Sequence, residues 1–213
     1  VVKYATQSGM SLISTLGSMA MVPVVAFYFL RDFDILTARV KALLPVNVQP
    51  RVSAWALESN DVLAAFMRGQ LLVMFSLGVI YALGLSFVGL NYALLIGVLA
   101  GLASIVPYLG FVVGIAAALI IAFFQFDSYL PLVLVLVVFS VGQMVESFIL
   151  TPLLVGDRIG LHPVAVIFAI LSGGQLFGFM GILLALPIAA VIMVLLRHLH
   201  TDYINSPLYG PQG

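Results

Sequence analysis

Cysteine is absent from the 213-residue chain, and charge is scarce: eight Lys+Arg and eight Asp+Glu make up 8% of it. The first absence excludes disulfides, thiolate metal sites and cysteine nucleophiles. Three histidines, at 162, 198 and 200, are too few and too dispersed for a zinc centre, so neither a metal nor another cofactor is expected. The charges cancel to zero, which leaves no net field to hold a nucleic acid or an acidic substrate. An initiator Met and a basic leader with a cleavage site are also missing, and the chain, beginning in mid-pattern, reads as the C-terminal part of something longer. What is abundant is apolar: 63% of residues are hydrophobic and the mean hydropathy is +1.25, against ~45–50% apolar and ~25% charged in soluble domains. A soluble domain is excluded, and any function has to reside in local sites.

Nine of the sixteen charges (Arg31, Asp32, Asp34, Arg39, Lys41, Arg51, Glu58, Asp61, Arg68) fall between residues 31 and 68, one polar island in apolar sequence. A spanning helix needs ~20 apolar residues. Residues 1–30 end in one such span, 69–89 form a second, and 130–150, opened by Pro131 and closed before Thr151-Pro152, form a third. Residues 92–126 and 164–198 are each 35 long. A continuous helix of that length would reach roughly 52 Å across a hydrocarbon core of ~30 Å.

Each long stretch carries a breaker: Ser104-Ile105-Val106-Pro107-Tyr108-Leu109-Gly110 in the first and Ser172-Gly173-Gly174-Gln175-Leu176-Phe177-Gly178 in the second. Pro removes a helical donor and Gly permits positive φ, so each stretch is expected to be a helical hairpin; a steeply tilted, kinked single helix is the alternative. The positive-inside rule discriminates. With the island cytoplasmic, hairpins put the 151–163 loop and its Arg158 inside, whereas single spans put them outside. Span plus hairpin then occurs twice in opposite senses, the pattern of an inverted repeat around a midplane site. The expected fold is an all-α membrane bundle with two broken re-entrant hairpins and an amphipathic connector. In the island, Asp32 or Asp34 is placed to cap a helix ending before Pro45, and a second helix carries Val52, Trp55, Val62 and Phe66; these lie in the lipid interface, pack on another subunit, or simply connect. Residues 199–213 form a polar tail, with His198 and His200 at the interface.

Glu146 is the one charge placed inside a span, and an ionisable group there is a functional hypothesis by default. Gln143, Glu146, Ser147 and Thr151 stand at i, i+3, i+4 and i+8, one helical stripe offering a carboxylate, an amide and two hydroxyls to a proton, a cation or a solute hydroxyl. Alternatively Glu146 snorkels or pairs with Arg158. The tips contribute backbone groups and small polar side chains: Ser104, Pro107 and Gly110 from one, Ser172, Gly173, Gly174 and Gln175 from the other. Gly114, Gly178 and Gly181 are expected to allow close helix approach instead. Asp157 and Arg158 form an interfacial pair or gate the second hairpin, with His162 as a cap or interface residue.

The run Pro107-Tyr108-Leu109-Gly110 with Gly114, then Glu146-Ser147 to Pro152, Gly156, Leu161-His162-Pro163, Gly173-Gly174, Gly178, Gly181 and Leu183-Leu184-Ala185-Leu186-Pro187 resembles the autoinducer-2 exporter family of bacterial permeases. The likeness covers about residues 20 to 200, the C-terminal two thirds of a member. It implies a multi-pass protein of the bacterial cytoplasmic (inner) membrane, a homopentamer in lipid, whose two hairpins form the substrate site and move in an elevator-like way. Export of the furanone-type signal autoinducer-2 is implied, with Na⁺(Li⁺)/H⁺ antiport known in other members. A non-transporting oligomeric scaffold or passive pore is the reading from another class. Enzymatic hydrolysis is not expected, since neither HExxH nor GxSxG occurs and Glu146 has no second intramembrane carboxylate.

Overall fold

The computed structural model describes residues 21–155 and 163–204. Every regular element among them is helical: α1 (Met21–Arg31 in its described part), α2 (Phe33–Leu43), α3 (Gln49–Val88), α4 (Ala93–Ala103), α5 (Leu109–Gln125), α6 (Leu130–Val145), a π-helix (Glu146–Val155) and α7 (Pro163–Ile204). Three helical segments are long and apolar enough to cross a membrane: Gln49–Val88, Leu130–Leu154 and Val164–Ile204. The chain is a helical membrane protein. It divides into two compact units, the first ending at Ala54 and the second beginning at Trp55, with α3 continuous through the junction.

In the first unit Arg31 pairs with Asp32 at 2.9 Å and lies over the Tyr28 ring at 4.7 Å. That pairing occupies the Asp32 carboxylate, which makes no capping bond to α2, so the expected side-chain cap is not formed there; Asp34 sits in the first turn, where the helix dipole favours an anion. Leu44 is extended because it precedes Pro45, and this stops α2. Gln49 Nε2 donates to the Leu44 carbonyl at 2.9 Å, closing the linker into α3. No helix break separates the island from the following span: α3 runs unbroken for 40 residues across the boundary expected at residue 68. Between Pro50 and Pro107 the sequence offers no proline to stop it.

In the second unit small residues let helices touch backbone to backbone, the usual device where lipid removes the hydrophobic drive for association. A Cβ on Gly97 would strike the Ala82 backbone, and one on Gly101 would lie 2.6 Å from both the Gly78 Cα and the Met74 carbonyl. Thus α3 and α4 are in direct contact. The stretch expected as a hairpin at 92–126 comprises α4 and α5, joined by residues 104–108 with Tyr108 at φ 65°. Gly114 brings α5 against Ala100 of α4 and Phe139 of α6. Leu77, Tyr81, Leu85, Ala118, Val135 and Phe139 are buried between them. Gln125 ties the far end: its Oε1 accepts from Asn91 N–H and its Nε2 donates to the Gly89 carbonyl, both at 2.7 Å, so α5 ends beside the α3–α4 turn.

The α6 segment does not stop before Pro152. Helical winding continues to Val155 as a π-helix with Pro152 inside it, past the end expected at residue 150. Proline has no N–H to give and presses on the carbonyl one turn back in α geometry, and a wider turn relieves that crowding. In α7 the backbone bends at Gly178 (φ 61°, ψ −143°), a conformation open in practice only to glycine. A Cβ on Gly173 would lie 3.4 Å from Ala185 Cβ, although twelve residues of straight helix would separate them by about 18 Å. The arms of α7 therefore fold against each other. Its C-terminal arm returns to the start of the second unit, where Arg197 and His198 reach the Glu58 carboxylate at 3.3 and 3.2 Å and Trp55 packs on the His198 ring at 5.5 Å.

Candidate functional site

Three of the four polar stripe residues form one hydrogen-bonded group at the junction of α6 and the π-helix. Gln143 Nε2 donates to Glu146 Oε2 at 3.2 Å and to Ser147 Oγ at 3.4 Å. Spacing explains this: i+3 and i+4 are neighbours on an α-helix, and an amide long enough to span them aligns the carboxylate and hydroxyl. Gln143 and Glu146 are half-buried and Ser147 is exposed, so the group opens on one side. Thr151 follows on the exposed wall of the π-helix. A π segment beginning at the carboxylate is itself notable, because such segments are rare and concentrate at functional sites.

Tyr81 of α3 completes the surroundings. It is wholly buried and stacks on Phe139 with ring centroids 4.5 Å apart. A Cβ on Gly142 would strike this ring and lie 3.1 Å from the phenolic oxygen, so the hydroxyl sits against the residue immediately before Gln143. Tyr81 OH and Gln143 Oε1 are both buried without a hydrogen-bond partner among the described residues. Sequence reasoning missed Tyr81. The signal was a lone phenol in an apolar span, but its pairing with Gly142, 61 positions away, is a tertiary fact.

The first breaker is packed rather than open. Ser104 is buried, its hydroxyl donates to the Ala100 carbonyl at 2.9 Å, and its own carbonyl accepts from Gln70 Nε2 at 2.7 Å. Gly110 fits beneath it, since a Cβ there would strike Ser104 Oγ and the Ala100 carbonyl. Pro107 is half-buried, and Tyr108 beside it is exposed. Gln70, absent from the predicted set, is thus what fastens this turn to α3.

In α7 the expected tip moves. The bend is at Gly178, four positions beyond Gly174, because Gly178 alone of the described α7 glycines has positive φ. Gly173 and Gly174 lie inside the first arm and admit Gly181 and Ile182 of the second. Ser172 is half-buried and Gln175 exposed, and neither is hydrogen-bonded to the Glu146 group. Between the arms runs an apolar groove of about 630 Å³, lined among others by Phe168, Ser172, Leu176, Met180, Leu184 and Ile188. Asp157, Arg158 and His162 lie outside the described residues.

Residues 1–201 match the AI-2E family transporter. The chain is 37% identical over 179 residues to "Putative transport protein YrrI" of Bacillus subtilis (strain 168), covering 84% of this chain and 50% of that protein. It is 30% identical over 197 residues to "Putative permease PerM" of Escherichia coli (strain K12), covering 92% of this chain and 56% of that protein. The chain spans about half the length of the curated relatives it matches. No solved structure matches it.

Proposed function

The chain belongs to the AI-2E transporter family, and from that premise we propose that it exports a small polar solute, an autoinducer-2-like signal molecule, across the bacterial cytoplasmic membrane. The observation that carries this reading is the Gln143–Glu146–Ser147 group, a carboxylate held by a neutral amide within a segment long and apolar enough to span. Ionisable groups in such segments are expensive to insert and tend to mark a solute or ion path. Acceptor oxygens on a half-exposed wall suit a substrate bearing several hydroxyls. Short apolar helices support the same reading. At 11 residues α4 is about 16 Å long, short of the ~30 Å hydrocarbon core, as a re-entrant element would be. In this proposal α4–α5 and the two arms of α7 are opposed hairpins of an inverted repeat, moving in an elevator-like way within a homo-oligomer, and Asp157–Arg158 gate the second.

Efflux of labelled autoinducer-2 from vesicles carrying the full protein tests it. Glu146→Gln keeps the side-chain size and removes the charge, and flux should fall at least about tenfold, the scale of one lost charge-assisted hydrogen bond. Wild-type flux in that variant removes Glu146 from the path. Cation/proton antiport is the second reading, favoured because the only hydrogen-bond partner of Glu146 among the described residues is an amide, which leaves the carboxylate free to take a cation. Flux indifferent to Na⁺ and to an imposed pH gradient discards it.

A further inference from the structure

We propose that Tyr81 is a binding residue of the Glu146 site, and that Tyr81 OH, Gln143 Oε1 and the Glu146 carboxylate together take a small hydrogen-bond donor, either a solute hydroxyl or a hydrated proton. This rests on the transport reading above. Tyr81 is 0% exposed and stacked on a phenylalanine, so Phe would fill the same space without burying a hydroxyl that has no partner. A buried polar atom left unpaired is destabilising, and two of them beside one carboxylate need a state in which they are paired. Gln143 supplies the polarity. Its Nε2 serves Glu146 and Ser147, which fixes the amide orientation, since the reverse would set carbonyl against carboxylate. Oε1 is then a pure acceptor.

The ionised carboxylate is likewise acceptor-only, and the two hydroxyls, Tyr81 and Ser147, can turn to suit. Such a set asks for donors and repels anions. Tyr81 lies within electrostatic reach of Glu146, so it is the titratable group presented from α3; Asp157 and Arg158, the charges nearest in sequence, lie outside the described residues. Room at the crossing is small, because the Tyr81 ring is stacked on Phe139 and pressed on Gly142. A group admitted there has to be the size of a hydroxyl or a water rather than of a carbon skeleton. It enters from the exposed Ser147 side, along the wall of the π-helix.

The test uses the full protein in lipid nanodiscs, with Tyr81→Phe and Gln143→Leu as separate variants and a cooperative thermal transition as the control for folding. Two probes are applied: labelled autoinducer-2 in equilibrium binding, and the proton itself, as uptake after acidification in weak buffer. If the donor is a solute hydroxyl, each variant weakens autoinducer-2 binding about tenfold, the scale of one lost hydrogen bond, and Tyr81→Phe, which leaves the Gln143–Glu146 bond in place, keeps proton uptake unchanged. If it is a hydrated proton, the uptake that Glu146→Gln abolishes shifts in pH in Tyr81→Phe while both variants keep solute affinity. A folded Tyr81→Phe variant that matches wild type with both probes overturns the proposal. Should Glu146→Gln stop transport while Tyr81→Phe behaves as wild type, only this inference fails; should Glu146→Gln be silent in transport as well, the functional reading falls with it.

Discussion

At the scale of single residues, glycines carry much of the specification, and they differ in what they tolerate. Gly97→Ala should destabilise the protein by roughly 1–3 kcal/mol, the usual cost of overpacking, because the new methyl meets the Ala82 backbone, which cannot step aside. Gly174→Ala meets only the Ile182 side chain, Cγ1 at 3.2 Å and Cδ1 at 3.4 Å, and should cost far less. Thermal unfolding in one detergent compares the two, and equal losses would refute the contact reading. Glu58→Gln removes a carboxylate shared by Arg197 and His198, yet both it and Arg197 are more than a third exposed, so screening leaves ~0–1 kcal/mol and a small change in melting temperature. Gln143, Glu146 and Ser147 were legible because their spacing alone places them on one helical face. Tyr81 was not, since what sets its ring beside the residue before Gln143 is a glycine on another helix.

Elements were legible where a single residue dictates the break and less so where several compete. Pro131 opens α6 and Pro45 closes α2 as their chemistry requires. Four glycines between 173 and 181 all permit a bend, however, and only packing selects Gly178; the other three are used for close contact. The π-helix had no sequence signature beyond Pro152, because widening a turn is one of several ways to absorb a proline. Gly178→Ala should strain the bend by ~1–3 kcal/mol and loosen the fold of α7. Spin labels at Phe168 and Ile188, introduced as cysteines into a chain that has none, report this as a longer and broader distance distribution. An unchanged distribution would mean that the arms, rather than Gly178, impose the bend.

At the largest scale, two contacts tie together the helices of the second unit. Gln125 joins the C-terminus of α5 to the α3–α4 turn, and Glu58 joins the N-terminal half of α3 to the C-terminal arm of α7. If the polar end is cytoplasmic, single cysteines at 58, 158 and 197 should all label from the cytoplasmic face, whereas external labelling at 158 alone would restore the reading of 164–198 as one tilted span. The continuity of α3 carries a mechanical consequence. From Trp55 to Val88 it is about 50 Å long and unbroken, roughly 20 Å more than the hydrocarbon core it would cross. A rod of that length is a lever: a tilt small enough to leave the packing around Tyr81 nearly intact sweeps its aqueous end through several ångströms. Such a tilt is thereby readable at Trp55, the only tryptophan in the chain, whose fluorescence becomes its intrinsic gauge.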